Sequence, residues 1–431
     1  MANFTLTEGI QAMTTCKWYD KTWERHLKKH IEDYELFSHA TELTGTEFGG
    51  DSPEYSEAVH LDNPERPEWL KGMQEELQEL GQRMRCWEIT PELSPEQIKQ
   101  MKPLRHKWVF KRKWDEGKPA LWRARLTVKG CAQTQGVNFT DTFSPVAELA
   151  VLRILFALGV TEDLIYWKID VSKAFANADL DEEIYMYPPP ELGVPEGRLL
   201  RLLKALYGLK QAGRMWHLHI ARLLIEWGYS RSRFNHCVFF IRDDAVGRFI
   251  IIVLYVDDFA IGSKLQADID LLLTNLRQRL KITDGPLTRI LGYRVTDLRS
   301  SIGTIRLDMD EYADLIKKEL GAHIPPGSAV SSPMQPSTYL SKTQGPTTAE
   351  ELAEMEDIPY RNVTGMLMYY QIAMRMDISF PVGKCARYMA NPGMPHWRAL
   401  QRILKWIETH PHAYIEFKRP DKNECHGVVR R

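Results

Sequence analysis

Hydrophobic and polar residues alternate on both sides of a short turn in the segment KWVFKRKWDEGKPALWRARLTVKG, residues 107–130. Two alternating runs joined by the turn DEGK predict a β-hairpin. The pattern then changes, and the largely apolar run 146–160 predicts a buried helix. Residues 210–227 place apolar side chains three and four positions apart, which predicts an amphipathic helix.

Three short apolar runs in the middle of the chain border on carboxylates. Residues 165–171 form a strand-like run that closes around Asp170, and residues 248–256 and 259–263 flank Asp257 and Asp258. Apolar runs of this length, separated by two polar residues, predict a hairpin with both acids at its tip. If the strand of Asp170 pairs with this hairpin, three carboxylates come together.

Helical and strand patterns alternate over the rest of the chain, so the fold class is predicted to be α+β. The Gly/Pro/Asp-rich run 45–67 breaks an acidic, helical N-terminal part. A segment beginning at Ile324 is rich in Pro, Ser, Thr and Gly and predicts a linker or extended segment. The remaining predicted elements are helices over 69–80, 265–280, 311–320, 360–389 and 397–409, and a strand over 290–295.

Charge is strongly segregated, although the 431 residues carry a net charge of only −1. Residues 1–98 hold 9 basic and 20 acidic side chains, whereas residues 99–145 hold 11 basic and 3 acidic ones. The basic block also contains Trp108, Phe110, Trp114, Trp122 and Phe139. Cations neutralise phosphates and flat rings stack on bases, so the block suits a nucleic acid. The alternative is a solvated β-ribbon with ordinary aromatic packing.

Composition and residue spacing exclude several classes of protein. The longest apolar run has eight residues, 249–256, far short of the roughly 20 that a membrane helix needs. We therefore expect a soluble protein. The six cysteines are far apart and include no CxxC pair, which argues against a disulfide framework and a cysteine zinc site. His217, His219, His396 and His410 are interpreted as packing or solvent-facing residues rather than metal ligands.

Adjacent aspartates at the tip of an apolar hairpin repel each other, and the repulsion must be offset by positive charge. A divalent cation held by Asp170, Asp257 and Asp258 would supply it, and such a site can activate a hydroxyl and stabilise a pyrophosphate leaving group. The alternative is that Asp257 and Asp258 are exposed turn formers. At this stage phosphatases, nucleases and polymerases all remain open.

Several longer motifs resemble the reverse transcriptase of copia-type LTR retrotransposon Pol polyproteins. The main ones are YVDD at 255–258, DVSKAF at 170–175, LYGLKQAGRMW at 206–216 and DTFSPV at 141–146. Their order and separations match the family pattern. Supporting matches are KWVFKRK, RARLTVKG, DLDEEIYMYPP, ILGYRV, TGMLMYY and HWRALQRILKW, which extend the resemblance over residues 63–406.

The resemblance implies a right-hand polymerase with fingers, palm and thumb, its palm an antiparallel sheet backed by helices. It implies an RNA-directed DNA polymerase, a nucleotidyltransferase that extends a primer on an RNA or DNA template. Asp170 and Asp257 would be the principal ligands of two Mg²⁺ ions, or of Mn²⁺, with Asp258 as the second acid of the YVDD turn.

The same resemblance implies roles around the catalytic acids. Phe175 resembles the aromatic gate that selects deoxynucleotides, the alternative being a core phenylalanine. Arg125 and Lys129 are candidates for gripping the triphosphate, and which of Arg123, Arg125 and Lys129 does so stays open. Gly208 and Gln211 would line the template and nucleotide pocket. The turn that steadies the primer end would be formed by Leu291, Gly292 and Tyr293.

The chain departs from the family pattern at four positions. Gly213 and Met376 replace prolines, and Ala176 and Ala178 stand where the family usually has a bulkier residue and a glycine. No departure removes a predicted catalytic group. Gly213 is expected to loosen a loop near the substrate pocket.

Four domains follow from these patterns: an acidic segment 1–62, a reverse transcriptase region 63–320 with core 104–300, a linker 321–358, and a helical connection 359–431 that ends before a ribonuclease H domain. Expected partners are an RNA template, a DNA primer or RNA–DNA hybrid, a tRNA primer, dNTPs, and other Pol domains or a second copy. The expected location is cytoplasmic virus-like particles, or the nucleus. The alternative function is a catalytically inactive or domesticated remnant that binds nucleic acid.

Overall fold

The computed structural model of the chain describes residues 52–115 and 118–419. The predictions for residues 1–51, for Cys16 and Cys425 and for the centre of the DEGK turn therefore lie outside the described residues. The described residues fall into two compact units. The first comprises residues 52–148 and 165–286, and the second comprises residues 149–164 and 287–419.

Helices lie in both units and are numbered in chain order. They are α1 (Tyr55–Ala58), α2 (Arg66–Leu77), α3 (Pro95–Met101), α4 (Leu149–Glu162), α5 (Ala212–Glu226), α6 (Gln266–Arg277), α7 (Arg299–Ile302), α8 (Asp310–Leu320), α9 (Ala349–Glu356), α10 (Tyr360–Ala373), α11 (Ser379–Ala386) and α12 (Met394–Thr409). A π-helical stretch, Gln78–Arg83, continues α2.

The strands are β1 (Trp87–Ile89), β2 (His106–Asp115), β3 (Lys118–Val128), β4 (Ile165–Val171), β5 (Asp179–Met186), β6 (Leu200–Lys204), β7 (Ser230–Arg231), β8 (Val238–Asp243), β9 (Arg248–Tyr255), β10 (Asp258–Ser263), β11 (Ile282–Pro286), β12 (Arg289–Ile290), β13 (Tyr293–Leu298), β14 (Thr304–Asp308) and β15 (Tyr414–Lys418). Every sheet pairing between them is antiparallel, which confirms the predicted α+β class.

The first unit is built around a six-stranded sheet in the order β11-β4-β10-β9-β8-β7. Strands β9 and β10 lie near its centre, and the side chains from Phe249 to Leu254 are all buried. A strand covered on both faces needs a continuous apolar run, which explains why the sequence there does not alternate. The unit also contains the sheet β1-β6-β5 and the hairpin β2-β3.

The β2-β3 hairpin is two-sided. Trp108 and Phe110 pair with Leu126 and Ala124, and all four are buried. Trp69 of α2 packs edge-on against Phe110 with ring centroids 5.3 Å apart. Two aromatic residues of the basic block therefore belong to the core, which favours the packing interpretation over base stacking for them. Arg123 and Arg125 alternate with these core residues and lie on the opposite face.

The second unit contains the sheet β12-β13-β14-β15 together with α4 and α7–α12. Helix α12 buries one apolar side formed by Trp397, Leu400, Ile403 and Leu404. The Pro/Ser/Thr-rich segment is extended and fastened to this unit, because Arg402 donates to the Ser332 carbonyl and Tyr388 to the Leu340 carbonyl.

Two predictions of secondary structure were wrong. The helix predicted over 360–389 is broken into α10 and α11, since Pro381 has no N–H to donate and cannot sit in a continuous helix interior. A buried Arg375–Asp377 ion pair occupies the break. The strand predicted over 290–295 is two strands joined at Leu291 and Gly292, both of which have positive φ.

Candidate active site

The three predicted acids come together at one end of the central sheet. Asp170, near the end of β4, is the antiparallel partner of Asp258, the first residue of β10. Asp257 lies in the turn between β9 and β10, and its carbonyl oxygen accepts a hydrogen bond from Val171 N at 3.0 Å. The prediction that the strand of Asp170 pairs with the hairpin is confirmed.

The turn that carries Asp257 has an unusual backbone. Tyr255 pairs with Asp258, so Val256 and Asp257 are the two loop residues. Val256 has φ +55°, a left-handed conformation that is costly for a β-branched residue. Its carbonyl accepts a 2.6 Å hydrogen bond from Trp216 Nε1 of α5. Trp216 of α5 thus holds the turn through this hydrogen bond.

The site concentrates negative charge. Burial, followed by the charges of Asp258 and Asp170, raises the pKa of Asp257 to about 6, against the opposing effects of a backbone hydrogen bond and of Arg125. Desolvation and like charges both disfavour the ionised carboxylate. A cation would relieve both effects, so Asp170 and Asp257 fit a divalent metal ion.

Asp258 is engaged differently from the other two acids. Its Oδ1 lies 2.8 Å from Lys168 Nζ, and both side chains are about a quarter to a third exposed, 23% and 32%. Within the described parts of the chain, no three His, Cys, Asp or Glu side chains are arranged as a ready metal-binding group. In this conformation Asp258 is held in an ion pair with Lys168.

The basic face of the β2-β3 hairpin lies within electrostatic range of the acids. Ala124, Leu126 and Val128 point into the core, so the alternate residues Arg123 and Arg125 lie on the other face. Burial and then Arg125 lower the pKa of Arg123, while Tyr207, Glu76 and Asp170 raise it. Lys129 follows β3 and is exposed.

Phe175 and Arg125 both contact Tyr207, a residue that the sequence analysis did not assign to the site. The rings of Phe175 and Tyr207 have centroids 4.8 Å apart, and the Arg125 guanidinium lies 5.4 Å from the Tyr207 centroid. Burial raises the pKa of Tyr207 to about 12, so the phenol stays protonated. Its place in the LYGLKQAGRMW motif was the signal available.

Gly208 and Gln211 lie behind this group. Gly208 has φ +91°, and a Cβ there would come 2.1 Å from the Val128 carbonyl oxygen. Gln211 is fully buried, accepts from Gln133 Nε2 at 2.9 Å and donates to the Asn138 carbonyl at 2.8 Å. The close approach at Gly208 is to protein backbone, and Gln211 holds the neighbouring loop. Their roles toward a nucleotide stay predictions.

A second ion pair anchors the loop after β4. Lys173 has φ +50° and its Nζ contacts Glu76 Oε2 of α2. Glu76 is 8% exposed and Lys173 19%, so the pair is largely shielded from water. Phe175 lies two residues further along, in the 3₁₀ turn Ala174–Asn177. The position of the Phe175 ring therefore depends on a contact with α2.

Leu291, Gly292 and Tyr293 belong to the second unit. Leu291 and Gly292 form the tight turn between β12 and β13, and the Leu291 carbonyl accepts a 2.6 Å hydrogen bond from the Tyr369 hydroxyl. Tyr293 is buried and donates to the Ala373 carbonyl at 2.5 Å. The predicted turn exists, and its role toward a primer stays a prediction.

A family model, Reverse transcriptase (RNA-dependent DNA polymerase), matches residues 94–334. The match covers more than half of the chain and contains Asp170, Asp257 and Asp258. The chain belongs to this reverse transcriptase family, and the resemblance to its copia-type members is confirmed by the relatives described next.

Those relatives are polyproteins of plant and yeast transposons. The chain is 35% identical over 351 residues to the retrovirus-related Pol polyprotein from transposon TNT 1-94 of Nicotiana tabacum, covering 80% of this chain and 26% of the relative. It is 30% identical to the RE1 polyprotein of Arabidopsis thaliana, with coverages of 74% and 21%. It is 26% identical to the Ty1-NL2 Gag-Pol polyprotein of Saccharomyces cerevisiae, with coverages of 78% and 19%. The chain thus spans about a quarter or less of these relatives.

Among solved structures, a foamy viral protease-reverse transcriptase in complex with double-stranded DNA aligns with 94% of this chain and 60% of that chain, at 12% identity and a TM-score of 0.39. A search of the described residues for helices long and apolar enough to cross a membrane found none.

Proposed function

We propose that this chain is an RNA-directed DNA polymerase that extends a primer by nucleotidyl transfer. The observation that carries the proposal is the pairing of Asp170 with Asp258 beside the Asp257 turn, which gathers three acids at one end of a rigid sheet. Membership of the reverse transcriptase family supports it.

Asp170 and Asp257 would be the principal ligands of two Mg²⁺ ions, with Asp258 as an additional acid and Mn²⁺ as a substitute. When bound, such ions make a 3′-hydroxyl a stronger nucleophile and stabilise the leaving pyrophosphate. The raised pKa of Asp257 supports this role, because a crowded, buried carboxylate gains from a bound cation.

The protein's own side chains would bind and select the nucleotide. Arg123 and Arg125 project from the hairpin face next to the acids and would grip the triphosphate with Lys129, since guanidinium groups match phosphate oxygens. Phe175, held by its contact with Tyr207, would fill the space that a ribose 2′-hydroxyl needs. Gly208 and Gln211 would shape the pocket from behind.

The first unit would then supply the fingers and palm of a right-hand polymerase. The second unit would supply the thumb and connection, with Leu291, Gly292 and Tyr293 steadying the primer end. The partners we propose are an RNA template, a DNA primer or RNA–DNA hybrid, dNTPs and a tRNA that primes synthesis. Further Pol domains or a second copy of the chain would complete the assembly, in virus-like particles.

Primer extension on an RNA template tests the proposal. The purified chain is supplied with a DNA primer, dNTPs and Mg²⁺, and is compared with Asp257→Asn. We expect synthesis by the wild type and its loss in the variant, while hybrid binding, measured by fluorescence anisotropy, is retained. Asp243→Asn changes an exposed acid at the end of β8, where it pairs with Arg248 at the far end of β9; it is the matched control and should extend normally.

Two outcomes would contradict the proposal. Synthesis that persists in Asp257→Asn would show that the assigned acid is not needed. A folded wild-type chain that binds the hybrid but adds no nucleotide, with either Mg²⁺ or Mn²⁺, would instead favour a protein that binds nucleic acid without catalysis.

A further inference from the structure

Lys168 is placed to act on the catalytic acids. It lies two residues before Asp170 on β4, so both side chains project from the same face of the sheet. Its backbone partner is Ala260, two residues after Asp258 on β10, which puts Lys168 diagonally across from Asp258. Long side chains reach such diagonal neighbours, and Nζ ends 2.8 Å from Asp258 Oδ1.

The partial burial of this ion pair strengthens it. Asp258 is 23% exposed and Lys168 32%, so water screens the pair less than it screens a fully exposed one. An ammonium that donates to a carboxylate oxygen competes directly with a divalent cation for that oxygen. The charges of Asp258 and Asp170 both act on Asp257, so the three acids share one concentration of negative charge, and Asp258 has the Lys168 ammonium beside it.

We propose that Lys168 is a positioning residue that withholds Asp258 from bound divalent cations and so makes Asp170 and Asp257 the pair that holds them. The proposal rests on the proposed function. Asp258 contributes to cation binding only when its ion pair with Lys168 is broken. Lys168 thus determines that Asp170 and Asp257 act as cation ligands while Asp258 does not.

Two other roles for Lys168 give different results. A purely structural ion pair would affect thermal stability and leave cation binding unchanged. A general electrostatic effect, in which any positive charge near the site repels the cation, would weaken binding whether or not Asp258 is a carboxylate. The experiment therefore needs variants of both residues.

The experiment measures the affinity of the full chain for Mn²⁺ in the absence of nucleic acid. Isothermal titration calorimetry and electron paramagnetic resonance are used to detect binding. Lys168→Gln is expected to bind Mn²⁺ about fivefold more tightly, a gain within reach of a partly exposed ion pair. Asp258→Asn alone is expected to change the affinity less than about twofold. The double variant Lys168→Gln/Asp258→Asn should lose the gain. Lys168→Arg keeps the ion pair and should bind like the wild type.

An unchanged or weaker Mn²⁺ affinity in Lys168→Gln overturns the proposal, as does a gain that persists in the double variant. Absence of Mn²⁺ binding in both wild type and Lys168→Gln overturns it as well. Thermal unfolding of each variant identifies those that do not fold, and Lys168→Met replaces Lys168→Gln in that case. Primer extension separates the two proposals: if the wild type extends primers and Asp257→Asn does not, the function stands whatever happens at Lys168.

Discussion

The indole Nε1 of Trp216 donates a 2.6 Å hydrogen bond to the carbonyl oxygen of Val256, the residue before the catalytic candidate Asp257. Trp216 is fully buried in helix α5, whereas Val256 occupies a left-handed turn at the end of the sheet. The helix thereby holds a strained turn in one conformation, and the direction of the Asp257 carboxylate depends on a side chain 41 positions earlier in the sequence.

Removing this hydrogen bond should impair activity more than folding. Trp216→Phe keeps an aromatic ring in the core and deletes the donor, so we expect primer extension to fall about fivefold, in line with a loss of about 1 kcal/mol. Trp227→Phe, just beyond the other end of the same helix, is the control and should extend like the wild type. Equal activity of the two variants would show that the turn holds without Trp216.

Sugar selection should depend on two aromatic rings rather than one. Phe175→Ala is expected to admit ribonucleotides, and Tyr207→Leu should do so to a smaller degree because it removes the ring against which Phe175 packs. Tyr207→Phe keeps that ring and serves as the control. The ratio of kcat/KM for dNTP and rNTP measures the effect. If Phe175→Ala discriminates between dNTP and rNTP as well as the wild type does, Phe175 is a core residue and not the sugar gate.

Two glycines of one motif should respond in opposite ways to alanine. At Gly208 the φ of +91° and a 2.1 Å clash with the Val128 carbonyl oxygen predict that Gly208→Ala destabilises by more than about 2 kcal/mol. Gly213 lies in the first turn of α5 and not in the loop that the sequence analysis expected, and a Cβ there would meet Ser144 at 3.5 Å, an ordinary contact. Gly213→Ala should stabilise by about 0.5–1 kcal/mol. Denaturant unfolding measures the stability of both variants. Equal changes in the free energy of unfolding would contradict the backbone conformations and contacts described for Gly208 and Gly213.

Stability should fall in mild acid because of His217. Burial lowers the pKa of His217 to about 4, and within the described residues its Nε2 has no hydrogen-bond partner. From pH 6.5 down to 4 the unfolded chain binds a proton that the folded chain does not, so the free energy of unfolding decreases as the pH falls. The loss amounts to about 3 kcal/mol once the pH is below 4.

His217→Met should remove this part of the pH dependence. Urea unfolding at pH 7.5 and pH 5 measures it, and the exposed His412→Gln controls for loss of a histidine. If His217→Met and the wild type lose the same stability between these pH values, His217 is not the group that titrates.

Local pattern was enough to predict the elements that carry the acids. The strand 165–171 agrees with β4 at both ends, and the hairpin around Asp257 forms as predicted, because strands at the centre of a sheet need continuous apolar runs. The hypothesis that the strand of Asp170 pairs with this hairpin also came from the sequence, and the structure shows the register, with Asp170 opposite Asp258. These parts of the fold depend on short stretches of sequence.

The rest depends on contacts between distant segments. Lys168, Tyr207 and Trp216 join the site through a salt bridge, a ring contact and a hydrogen bond to residues that sequence periodicity does not relate to them. The local pattern predicts a strand through Leu291, and only the family resemblance indicates a turn there, since a leucine with positive φ gives no sequence signal. Tertiary packing, rather than local preference, decides such positions.

The pair formed by Glu76 and Lys173 limits how short a working version of this protein can be. The family match begins at residue 94, yet α2 supplies Glu76 as the ion-pair partner of Lys173 and Trp69 as the packing partner of Phe110 in the β2-β3 hairpin. A chain trimmed to the matched region would lose the ion pair that anchors the loop after β4 and would expose the apolar core of the hairpin to water. The smallest unit that can be expressed and assayed therefore starts before α2, well upstream of the region that sequence similarity marks out.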